Sequence, residues 1–446
     1  MLIQIPDNVS EFTNVYDVLE ERGLIENCTD PEGMRNLLGS EKIKFYVGFD
    51  PTADCLHVGH LIQIIIFAYF LKYGHTPVAL IGGGTVMVGD PSGRNDMRRM
   101  MDVEEIDANG RAFKDLFDRF LPFDDEWQYT PAEDSLFEKG TTNREPLPGK
   151  AVSVNNAHWL RHLDYIQFVR RIGTCFNVPE MLRAESFKRR IAQGGLTFFE
   201  FNYMLMQGYD FYVMARDFGL KAQFGGSDQW SNIIAGVNIN KKLDNREVFG
   251  MTFSLLTKSD GEKMGKTAGG ALWLDENRIP VFDFYQYWRN VADADVEKCL
   301  RMLTFLPMAE IRELTAVEGA EMNKAKERLA FEITKIVHGE EKAKKAMEDS
   351  RAIFMGGKDA ASGNIPEEEC DKSLFEGEGM GLAALMKEVG LVSSNGEGLR
   401  TIEQGGVKLN DEPVTDKRRV VTLDDFKDGK AVIQKGKKKF VAVVLK

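Results

Sequence analysis

Two histidines in one short turn have the spacing and chemistry of a phosphate site. His57 and His60 stand three residues apart after an apolar run, so both rings face the same way if a helix begins there. A helix N-terminus favours an anion, imidazoles donate to phosphate oxygens, and Gly59 lets a ligand approach the backbone closely. Taken alone, such a pair is more often structural.

Two lysines about two hundred residues later supply the complementary charge. Lys263 and Lys266 lie on a loop introduced by Ser259-Asp260-Gly261, where two ammonium groups can stabilise the charge of a phosphoryl displacement. The spacing from Gly261 is one residue too short for the phosphate loop of the common nucleotide triphosphatases. The two motifs together, in this order, predict chemistry on the phosphates of ATP.

The elements that must position these residues form a β-loop-α-β unit. We predict a strand over 42–49, a helix over Leu56–Tyr73 and a second strand over Thr76–Ile81. A helix over Phe198–Phe218 and a strand over Lys221–Phe224 follow, each strand running into a glycine turn. This order predicts an α/β fold with a parallel, doubly wound sheet.

The chain divides by composition into several regions. We predict a catalytic domain over 1–255, with a surface insertion near 124–150 to which we assign no chemistry. A charged helical pattern carries the lysine loop and a helical domain over 256–355. A linker rich in Gly, Glu and Asp covers 356–381. The last domain, 382–446, opens with a helix at Leu382–Val389 and closes with a β-rich run at 440–445.

Charge and composition bound the function classes. The 446 residues carry a net charge of -12 and are 43% hydrophobic, enough for a buried core. From 400 to 446 the net charge is +5, which leaves -17 on the remainder. A basic tail on an acidic body is typical of binding to a nucleic-acid backbone, although a solvated lysine-rich surface has the same composition.

Cysteine usage and apolar runs exclude other classes. The five cysteines are odd in number and form no Cys-x-x-Cys pair, which favours reduced thiols and predicts no metal site. The longest apolar run, Leu61–Leu71, is shorter than the ~18 residues that a membrane helix needs. The first residues show neither a secretory nor a transit pattern, so we expect a cytoplasmic protein.

Several segments in order resemble the class I aminoacyl-tRNA synthetases, and specifically the bacterial-type tyrosyl-tRNA synthetases. The segments that carry the resemblance are Tyr46–Asp54, His57–His60, Gly89–Gly93, Asn155-Asn156 before Trp159, Gly225–Trp230 and Lys263–Thr267. The resemblance implies a Rossmann-like parallel-sheet catalytic domain, an α-helical domain on the anticodon side and a small C-terminal α+β S4-like RNA-binding domain. It also implies a homodimer. Leu399–Asn410 is similar to the S4 signature.

The same resemblance implies the reaction and its binding residues. Tyrosine and ATP give tyrosyl-adenylate and pyrophosphate, and tyrosine then passes to the 3′ end of tRNA(Tyr). ATP is a substrate accompanied by Mg²⁺, and no tightly bound cofactor is expected. The residues implied for the tyrosine site are Tyr46, Asp90, Asn156, Tyr203, Gln207 and Asp210. Within this set, Tyr46 and Asp210 would recognise the phenol hydroxyl, and Tyr203, Gln207 and Asp90 the ammonium group.

The nucleotide and RNA residues follow from the resemblance in the same way. The residues implied for ATP and the adenylate are Gly48, Asp50, Gly59, Gly226, Asp228, Gln229 and Lys266. Those implied for catalysis at the phosphates are Thr52, His57, His60, Lys263, Lys266, Thr267, Arg94 and Arg98. Those expected to bind RNA are Arg400, Lys408, Lys417, Arg418 and Arg419.

Some positions depart from the family pattern, and other functions compete. Val47 replaces a polar residue near the ribose of some members, and Gln63 stands where others have a small residue. A tryptophanyl-tRNA synthetase would share the fold and both motifs, but Tyr46, Asp210 and the basic tail favour tyrosine. An RNA-binding scaffold without activity is disfavoured because both histidines and both lysines are present. A nucleotidyltransferase related only through the histidine motif leaves the tail unexplained.

Overall fold

The computed structural model describes residues 2–92, 99–267, 270–355, 367–377, 379–410, 412–427, 429–436 and 439–446. The side chains of 266–267, 353–355 and 439 are not part of this description. Within these residues the chain forms two compact units, Met1–Lys344 and Lys345–Lys446. The division falls inside the last helix of the charged helical region, whose end was predicted at 355.

Helices and strands alternate in the first unit. Its helices are α1 (Val15–Glu21), α2 (Pro31–Ser40), α3 (Val58–Lys72), α4 (Val103–Phe117), α5 (Ala157–Leu160), α6 (Tyr165–Arg171), α7 (Val178–Met181), α8 (Glu185–Ala192), α9 (Phe198–Phe201), α10 (Tyr203–Phe218), α11 (Trp230–Asp244), α12 (Val281–Arg289), α13 (Asp293–Leu303), α14 (Met308–Thr315) and α15 (Met322–His338), and α16 (Glu340–Met355) spans the division. Its strands are β1 (Ile25–Cys28), β2 (Lys44–Phe49), β3 (Thr76–Ile81), β4 (Tyr129–Thr130), β5 (Thr141–Thr142), β6 (Val152–Asn155), β7 (Ala222–Gly226), β8 (Phe249–Phe253), β9 (Lys266–Thr267) and β10 (Gly270–Ala271).

The central sheet of the first unit has the strand order β1-β8-β7-β2-β3-β6. All neighbours are parallel except the edge strand β1, which is antiparallel to β8. The chain runs outward from β2 to β3 and β6, then returns to β7 on the other side of β2. In open α/β sheets ligands bind at the carboxyl ends of the strands where the order reverses. The predicted α/β fold is confirmed, and its switch point lies between β2 and β7.

Helix α3 connects the first two parallel strands and is buried almost throughout. Ten of its residues, among them Phe67 and Phe70, have almost no exposure. Their rings pack on Phe45 of β2 with centroids 5.6 and 4.3 Å away. The helix therefore fixes its N-terminal turn, with both histidines, at the carboxyl edge of the sheet.

The predicted helix over Phe198–Phe218 is two helices, α9 and α10, with a turn at Asn202. Thr197 and Glu200 form a capping box that begins α9, and the Asn202 amide donates to the Phe198 carbonyl over 2.6 Å. The capping residues can be identified in the sequence. The turn at Asn202 cannot, because apolar residues continue on both sides of it.

The insertion near 124–150 is docked on α10. Its strands β4 and β5 pair, and the Tyr129 hydroxyl and the Gly140 N–H donate to the same oxygen of Asp217 over 2.8 and 3.0 Å. Two hydrogen bonds of 2.7 Å join Arg144 to the buried Asp124. The segment therefore supports the helix that carries Tyr203, Gln207 and Asp210.

Helices α12–α15 pack around their own apolar residues, with Phe284, Trp288, Leu300 and Ile333 fully buried. In the described part of the chain, no helix is both long and apolar enough to cross a membrane.

In its described residues beyond α16, the second unit contains a mixed sheet and two α-helices. Its strands are β11 (Glu367–Cys370), β12 (Met380–Gly381), β13 (Val407–Leu409), β14 (Glu412–Val414), β15 (Val420–Val421), β16 (Lys430–Lys435) and β17 (Lys439–Leu445), and its helices are α17 (Leu382–Glu388) and α18 (Asn395–Glu403). The larger sheet has the order β11-β17-β16-β13-β14, and β12 pairs with β15. Leu382, Ile402 and Ile433 lie in its core.

The predicted linker over 356–381 needs a correction. Residues 367–370 form β11, which is parallel to β17 at the edge of the sheet, and Phe375 is buried in the core of this unit. Only Cys370 of the strand is buried. An edge strand with three exposed glutamates shows no alternation of apolar residues, which is why its sequence suggested a linker.

Candidate active site

A cavity of about 1060 Å³ opens at the carboxyl ends of β2 and β7. The predicted site residues that line it are Tyr46, Gly48, Asp50, Thr52, His57, Gly59, His60, Asp90, Asn156, Tyr203, Gln207, Asp210, Gly226, Asp228, Gln229 and Lys263. For Lys266 and Thr267 the structure describes the backbone alone, in β9. Arg94 and Arg98 lie outside the described residues.

The two histidines form the N-terminal cap of α3. The His57 ring nitrogen Nδ1 accepts the Gly59 N–H over 3.0 Å, and His60 Nδ1 accepts the His57 N–H over 3.1 Å. The rings stack with centroids 4.0 Å apart. Because Nδ1 is the acceptor in each neutral ring, the proton lies on Nε2. Each imidazole therefore keeps one N–H for a ligand.

Burial sets the charge state of this pair. It lowers the pKa of His57 below its ordinary value, and it holds the pKa of His60 well below that value, with the neighbouring His57 adding to the effect. Both rings are neutral at pH 7 and act as hydrogen-bond donors rather than as cations. Any positive charge at this end of the cavity must therefore come from other groups.

The lysine loop begins as a tight hairpin. The Met264 N–H donates to the Leu256 carbonyl and the Lys258 N–H to the Glu262 carbonyl, both over 2.8 Å. Gly261 makes the turn with φ of +85°, a conformation that costs glycine little. Lys263 lies on the second side of the hairpin, opposite Thr257. Its ammonium is 3.3 Å from a carboxylate oxygen of Asp228.

A segment that the sequence did not single out joins the two motifs. The Leu272 N–H donates to the Gly265 carbonyl over 2.7 Å, and the Leu272 carbonyl accepts the Val58 N–H over 3.0 Å. The Leu274 N–H donates to the Leu56 carbonyl over 2.9 Å. Residues 272–274 therefore lie between the histidine turn and the lysine loop and bond to both.

A buried carboxyl group lies at the inner end of the cavity. Asp210 accepts the Trp159 indole N–H over 2.8 Å and the Asn156 amide N–H over 2.9 Å. Burial raises the pKa of Asp210 to about 8, against these two hydrogen bonds. A carboxyl group with two fixed donors still has lone pairs for a hydroxyl group of a ligand.

Four buried polar atoms of residues that line the cavity lack a partner among the described residues. These are the Tyr46 hydroxyl oxygen and the amide oxygens of Gln63, Gln207 and Gln223. Tyr46 is fully buried, and burial raises its pKa well above the ordinary value, with nearby Asp210 as the second cause. Unsatisfied buried polar groups are costly, so their place on the wall of a cavity indicates a polar ligand.

Hydrogen bonds connect this end of the cavity to the nucleotide side. The Asn156 amide donates to the Thr85 hydroxyl over 3.1 Å, and Thr85 donates to Asp50 over 2.9 Å. The Tyr203 hydroxyl donates to the other oxygen of Asp50 over 3.0 Å. Asp50 and Asp210 are therefore linked through Thr85 and Asn156.

Asp90 and Gln229 form a second polar wall. The Gln229 amide donates to Asp90 over 2.7 Å, and the other oxygen of Asp90 accepts the Ser92 N–H over 2.9 Å. The pair joins the glycine turn after β7 to the turn after Gly89.

Sequence reasoning did not assign several polar and aromatic residues to this site. Among them are Thr85, Trp159, Gln223 and Trp273; Trp159 contacts Asp210, and the others line the cavity. Gln223 had a visible signal, since it is a lone polar residue in the apolar strand β7, in register with Tyr46. Thr85 and Trp273 had none, because nothing in their local pattern indicates a cavity.

The predicted RNA-binding residues all lie in the second unit. Arg400 on α18, Lys408 on β13 and Arg418 are exposed. Lys417 forms an ion pair of 2.7 Å with Glu403. Arg419 donates to Asp425 and to the Val420 carbonyl, so its guanidinium is engaged within the unit.

Comparison with known proteins agrees with this geometry. Residues 39–355 match the family described as tRNA synthetases class I (W and Y), and residues 361–443 match the tyrosine–tRNA ligase SYY-like C-terminal domain. Proteins named tyrosine–tRNA ligase from Clostridium kluyveri and Clostridium botulinum are 48% and 49% identical, each over 97% of this chain and 100% of the relative.

A solved structure matches the larger part of the chain. It is that of a C-terminally truncated mitochondrial tyrosyl-tRNA synthetase from Aspergillus nidulans, at 28% identity and a TM-score of 0.63. The match covers 78% of this chain and 96% of the other. With the family match over 39–355 and the near full-length relatives, this chain belongs to the class I tyrosyl-tRNA synthetases, the tyrosine–tRNA ligases of bacterial type.

Proposed function

We propose that the cavity between β2 and β7 carries out both steps of the tyrosine–tRNA ligase reaction. The observation that carries the proposal is the buried Tyr46 hydroxyl, which has no partner in the described residues and lines the cavity together with Asp210. A free phenol hydroxyl is the ligand group that satisfies both. Residues 1–255 would bind tyrosine and ATP, and 256–355 would supply the lysine loop.

Tyrosine selection would depend on unpaired polar groups. Asp210 accepts the phenol O–H of the substrate, and the Tyr46 hydroxyl bonds to the same phenol oxygen. Asn156 and Trp159 hold the carboxyl group in place. Phenylalanine would leave the Tyr46 hydroxyl unpaired and would give Asp210 no hydroxyl to accept, and the rejection of phenylalanine by this enzyme family is an established example of that effect.

The substrate ammonium group would bind nearer the mouth of the cavity. Gln207 has a buried amide oxygen without a partner in the described chain, and Tyr203 and Asp90 complete the set. The Tyr203 hydroxyl also donates to Asp50 over 3.0 Å, which holds its ring on the wall of the cavity.

Activation is an in-line displacement at the α-phosphate. A carboxylate oxygen of tyrosine forms a bond to the α-phosphorus, the bond to the bridging oxygen of the β-phosphate breaks, and pyrophosphate leaves with the electron pair. Gly48, Asp50, Gly226, Asp228 and Gln229 would hold the adenylate. Mg²⁺ enters with ATP, as part of the substrate.

The two motifs would act on the phosphates as charge develops. The free Nε2–H groups of His57 and His60 donate to phosphate oxygens, with Thr52 beside them. The positive charge would come from Lys263, Lys266, Arg94 and Arg98, and Thr267 would add a hydroxyl group at the departing pyrophosphate. Interactions that tighten only in the transition state raise the rate without tightening substrate binding.

In the second step a hydroxyl of the 3′-terminal ribose of tRNA(Tyr) attacks the tyrosyl carbonyl carbon. The bond from that carbon to the adenylate oxygen breaks, AMP leaves, and the attacking hydroxyl loses its proton. Exposed Arg400, Lys408 and Arg418 would bind the RNA backbone. Lys417 and Arg419 belong to the same proposed set, although each also bonds to an acidic residue of the unit.

The protein would work as a cytoplasmic homodimer. Large apolar side chains of α6, α8 and α9 are exposed, among them Ile166 at 67%, Ile191 at 50% and Phe198 at 67%. So many exposed large apolar side chains within one stretch of the chain, 165–199, support a protein interface.

The first test is ATP–pyrophosphate exchange with the purified protein, offering tyrosine, tryptophan and phenylalanine in parallel. Exchange stimulated by tyrosine alone is the expected result. Stimulation by tryptophan would contradict the assignment of Tyr46 and Asp210. A protein that exchanges with none of the three would instead fit an RNA-binding scaffold.

A further inference from the structure

The lysine loop is bound along its length by helices α12 and α13. At its start, the Ser259 N–H donates to Asp295 over 2.7 Å. The Lys298 ammonium donates to the Thr257 carbonyl and hydroxyl over 3.0 and 2.8 Å. These contacts fix the first side of the hairpin, at Thr257 and Ser259. The part of the loop that carries Lys263 and Lys266 depends on other contacts.

A buried contact between two sulfur atoms holds the second side of the hairpin against α13. Met264 is 7% exposed, and its sulfur lies 3.4 Å from the Cys299 sulfur. A flexible thioether tolerates several orientations of the backbone around it. Met264 therefore anchors the loop without fixing the direction of the peptide that follows.

Gly265 is the position where that direction is fixed. Its N–H donates to the Tyr287 hydroxyl oxygen over 2.8 Å, and its carbonyl accepts the Leu272 N–H over 2.7 Å. Its φ of +85° is open to glycine and strained for other residues. This N–H belongs to the peptide group between Met264 and Gly265. Tyr287 therefore orients a peptide group that lies between Lys263 and Lys266 in the chain.

We propose that Tyr287 is a positioning residue for the activation step. Its hydroxyl holds the Met264–Gly265 peptide, so that the backbone of the loop presents Lys263 to the pyrophosphate. This inference rests on the proposed function of the lysine loop. Tyr287 touches no reacting atom and acts through the loop backbone.

The chemistry of the phenol suits this task. Tyr287 is half-buried, and burial raises its pKa above the ordinary value. The hydroxyl therefore stays neutral over the working pH range. A neutral hydrogen bond is strong enough to bias a loop and weak enough to open for pyrophosphate release.

Tyr287→Phe removes the hydroxyl and keeps the ring, so the packing of α12 is retained. The matched control is Tyr73→Phe. Tyr73 is also half-buried, and its hydroxyl donates to a backbone carbonyl, that of Phe12, over 2.7 Å. Each variant loses one hydroxyl-to-backbone hydrogen bond, but the partner of Tyr287 is Gly265, which lines the cavity, whereas Phe12 does not.

The first measurement is tyrosine-dependent ATP–pyrophosphate exchange. Loss of one neutral hydrogen bond predicts a kcat about three- to tenfold lower for Tyr287→Phe. We expect the KM for tyrosine to stay within about twofold, because the tyrosine site is not altered. Tyr73→Phe should match the unaltered protein, and both variants should melt at similar temperatures.

The second measurement follows the loop without reference to activity. Trypsin cuts after lysine, and Lys258 and Lys263 lie in the hairpin. Tyr287→Phe should be cleaved there several times faster than Tyr73→Phe, since the loop opens more often. Equal cleavage of the two variants together with equal kcat would overturn the inference, as would a rise in the KM for tyrosine at unchanged kcat.

The two proposals fail separately. If the unaltered protein shows no exchange with tyrosine, the proposed function is wrong, and faster cleavage of Tyr287→Phe would then still support the loop contact. If the unaltered protein exchanges normally and both variants match it in rate and cleavage, the assignment of Tyr287 alone is wrong.

Discussion

Tyr46→Phe should weaken tyrosine use without destabilising the protein. The Tyr46 hydroxyl is fully buried and has no partner in the described residues, so the free protein carries the desolvation cost of that group. Removing such an orphan group returns up to about 1–3 kcal/mol. Removing its bond to the substrate phenol costs about 0.5–1.5 kcal/mol of binding. Tyr46→Phe should therefore raise the free energy of unfolding and weaken the binding of tyrosine.

Tyr69→Phe is the matched control for this prediction. Tyr69 is also fully buried, and its hydroxyl has no partner in the described part of the chain, but it does not line the cavity. Both variants should therefore keep or raise the free energy of unfolding. Only Tyr46→Phe should raise the KM for tyrosine, by about three- to tenfold.

The assay pairs urea unfolding with ATP–pyrophosphate exchange at varied tyrosine. The same variant should discriminate less between tyrosine and phenylalanine. Of the two groups that would bond to the phenol hydroxyl of tyrosine, Tyr46 and Asp210, it has lost the first. The reasoning is refuted if Tyr46→Phe loses more than about 1 kcal/mol of stability, which would reveal a protein partner for the hydroxyl. An unchanged KM for tyrosine would refute it as well.

Three further predictions use other parts of the site. His57→Ala should lower the exchange rate by about tenfold or more with little change in the KM for tyrosine, and a large rise in that KM would contradict its role at the phosphates. Because burial raises the pKa of Asp210 to about 8, ionisation to the better acceptor should increase kcat/KM for tyrosine as pH rises towards 8; a flat profile from pH 6.5 to 8.5, or the same profile in Asp210→Asn, would count against it. Replacing Arg400, Lys408 and Arg418 together with Ala should raise the KM for tRNA and reduce its salt dependence while leaving exchange unchanged, and equal loss of both activities would exclude the RNA role.

The raised pKa of Asp210 also predicts how the stability of the protein changes with pH. The folded pKa of Asp210 lies above the ordinary value, so the folded protein holds this proton more tightly than the unfolded chain. Its contribution to stability is complete below about pH 4 and is lost as pH rises to about 8. The burial of this carboxyl group is therefore a cost to folding at neutral pH that binding of tyrosine can offset.

Local patterns predicted the elements that depend on near neighbours. The strand at Thr76–Ile81 has the predicted bounds, and α3 begins at Val58 because His57 is its cap rather than its first residue. The order of strands and helices then led to a doubly wound sheet, whereas its switch point became visible only in the strand order of the structure. The tyrosine residues came from resemblance, since no spacing relates Tyr46 to Asp210 across the sequence.

Contacts made by the backbone were not predictable in this way. Residues 272–274 bond to the histidine turn and to Gly265 through N–H and C=O groups, which every residue type except proline offers. The link from Asp50 to Asp210 runs through Thr85 and Asn156, which come together only after β3 and β6 pair. Strand β11 was hidden because an edge strand exposes most of its side chains.

The ion pair of the lysine loop bears on how binding energy is used. Lys263 pairs with Asp228, with side-chain exposures of 47% and 21%. An ion pair so accessible to water contributes about 0–1 kcal/mol, so ATP can separate it at little cost. In the proposed reaction, the ribose would then bind Asp228 and the phosphates would bind Lys263. Because Tyr287 and Leu272 hold the adjoining Gly265, little of the attraction of Lys263 for pyrophosphate would be used to order this part of the loop, and it would be available to lower the barrier.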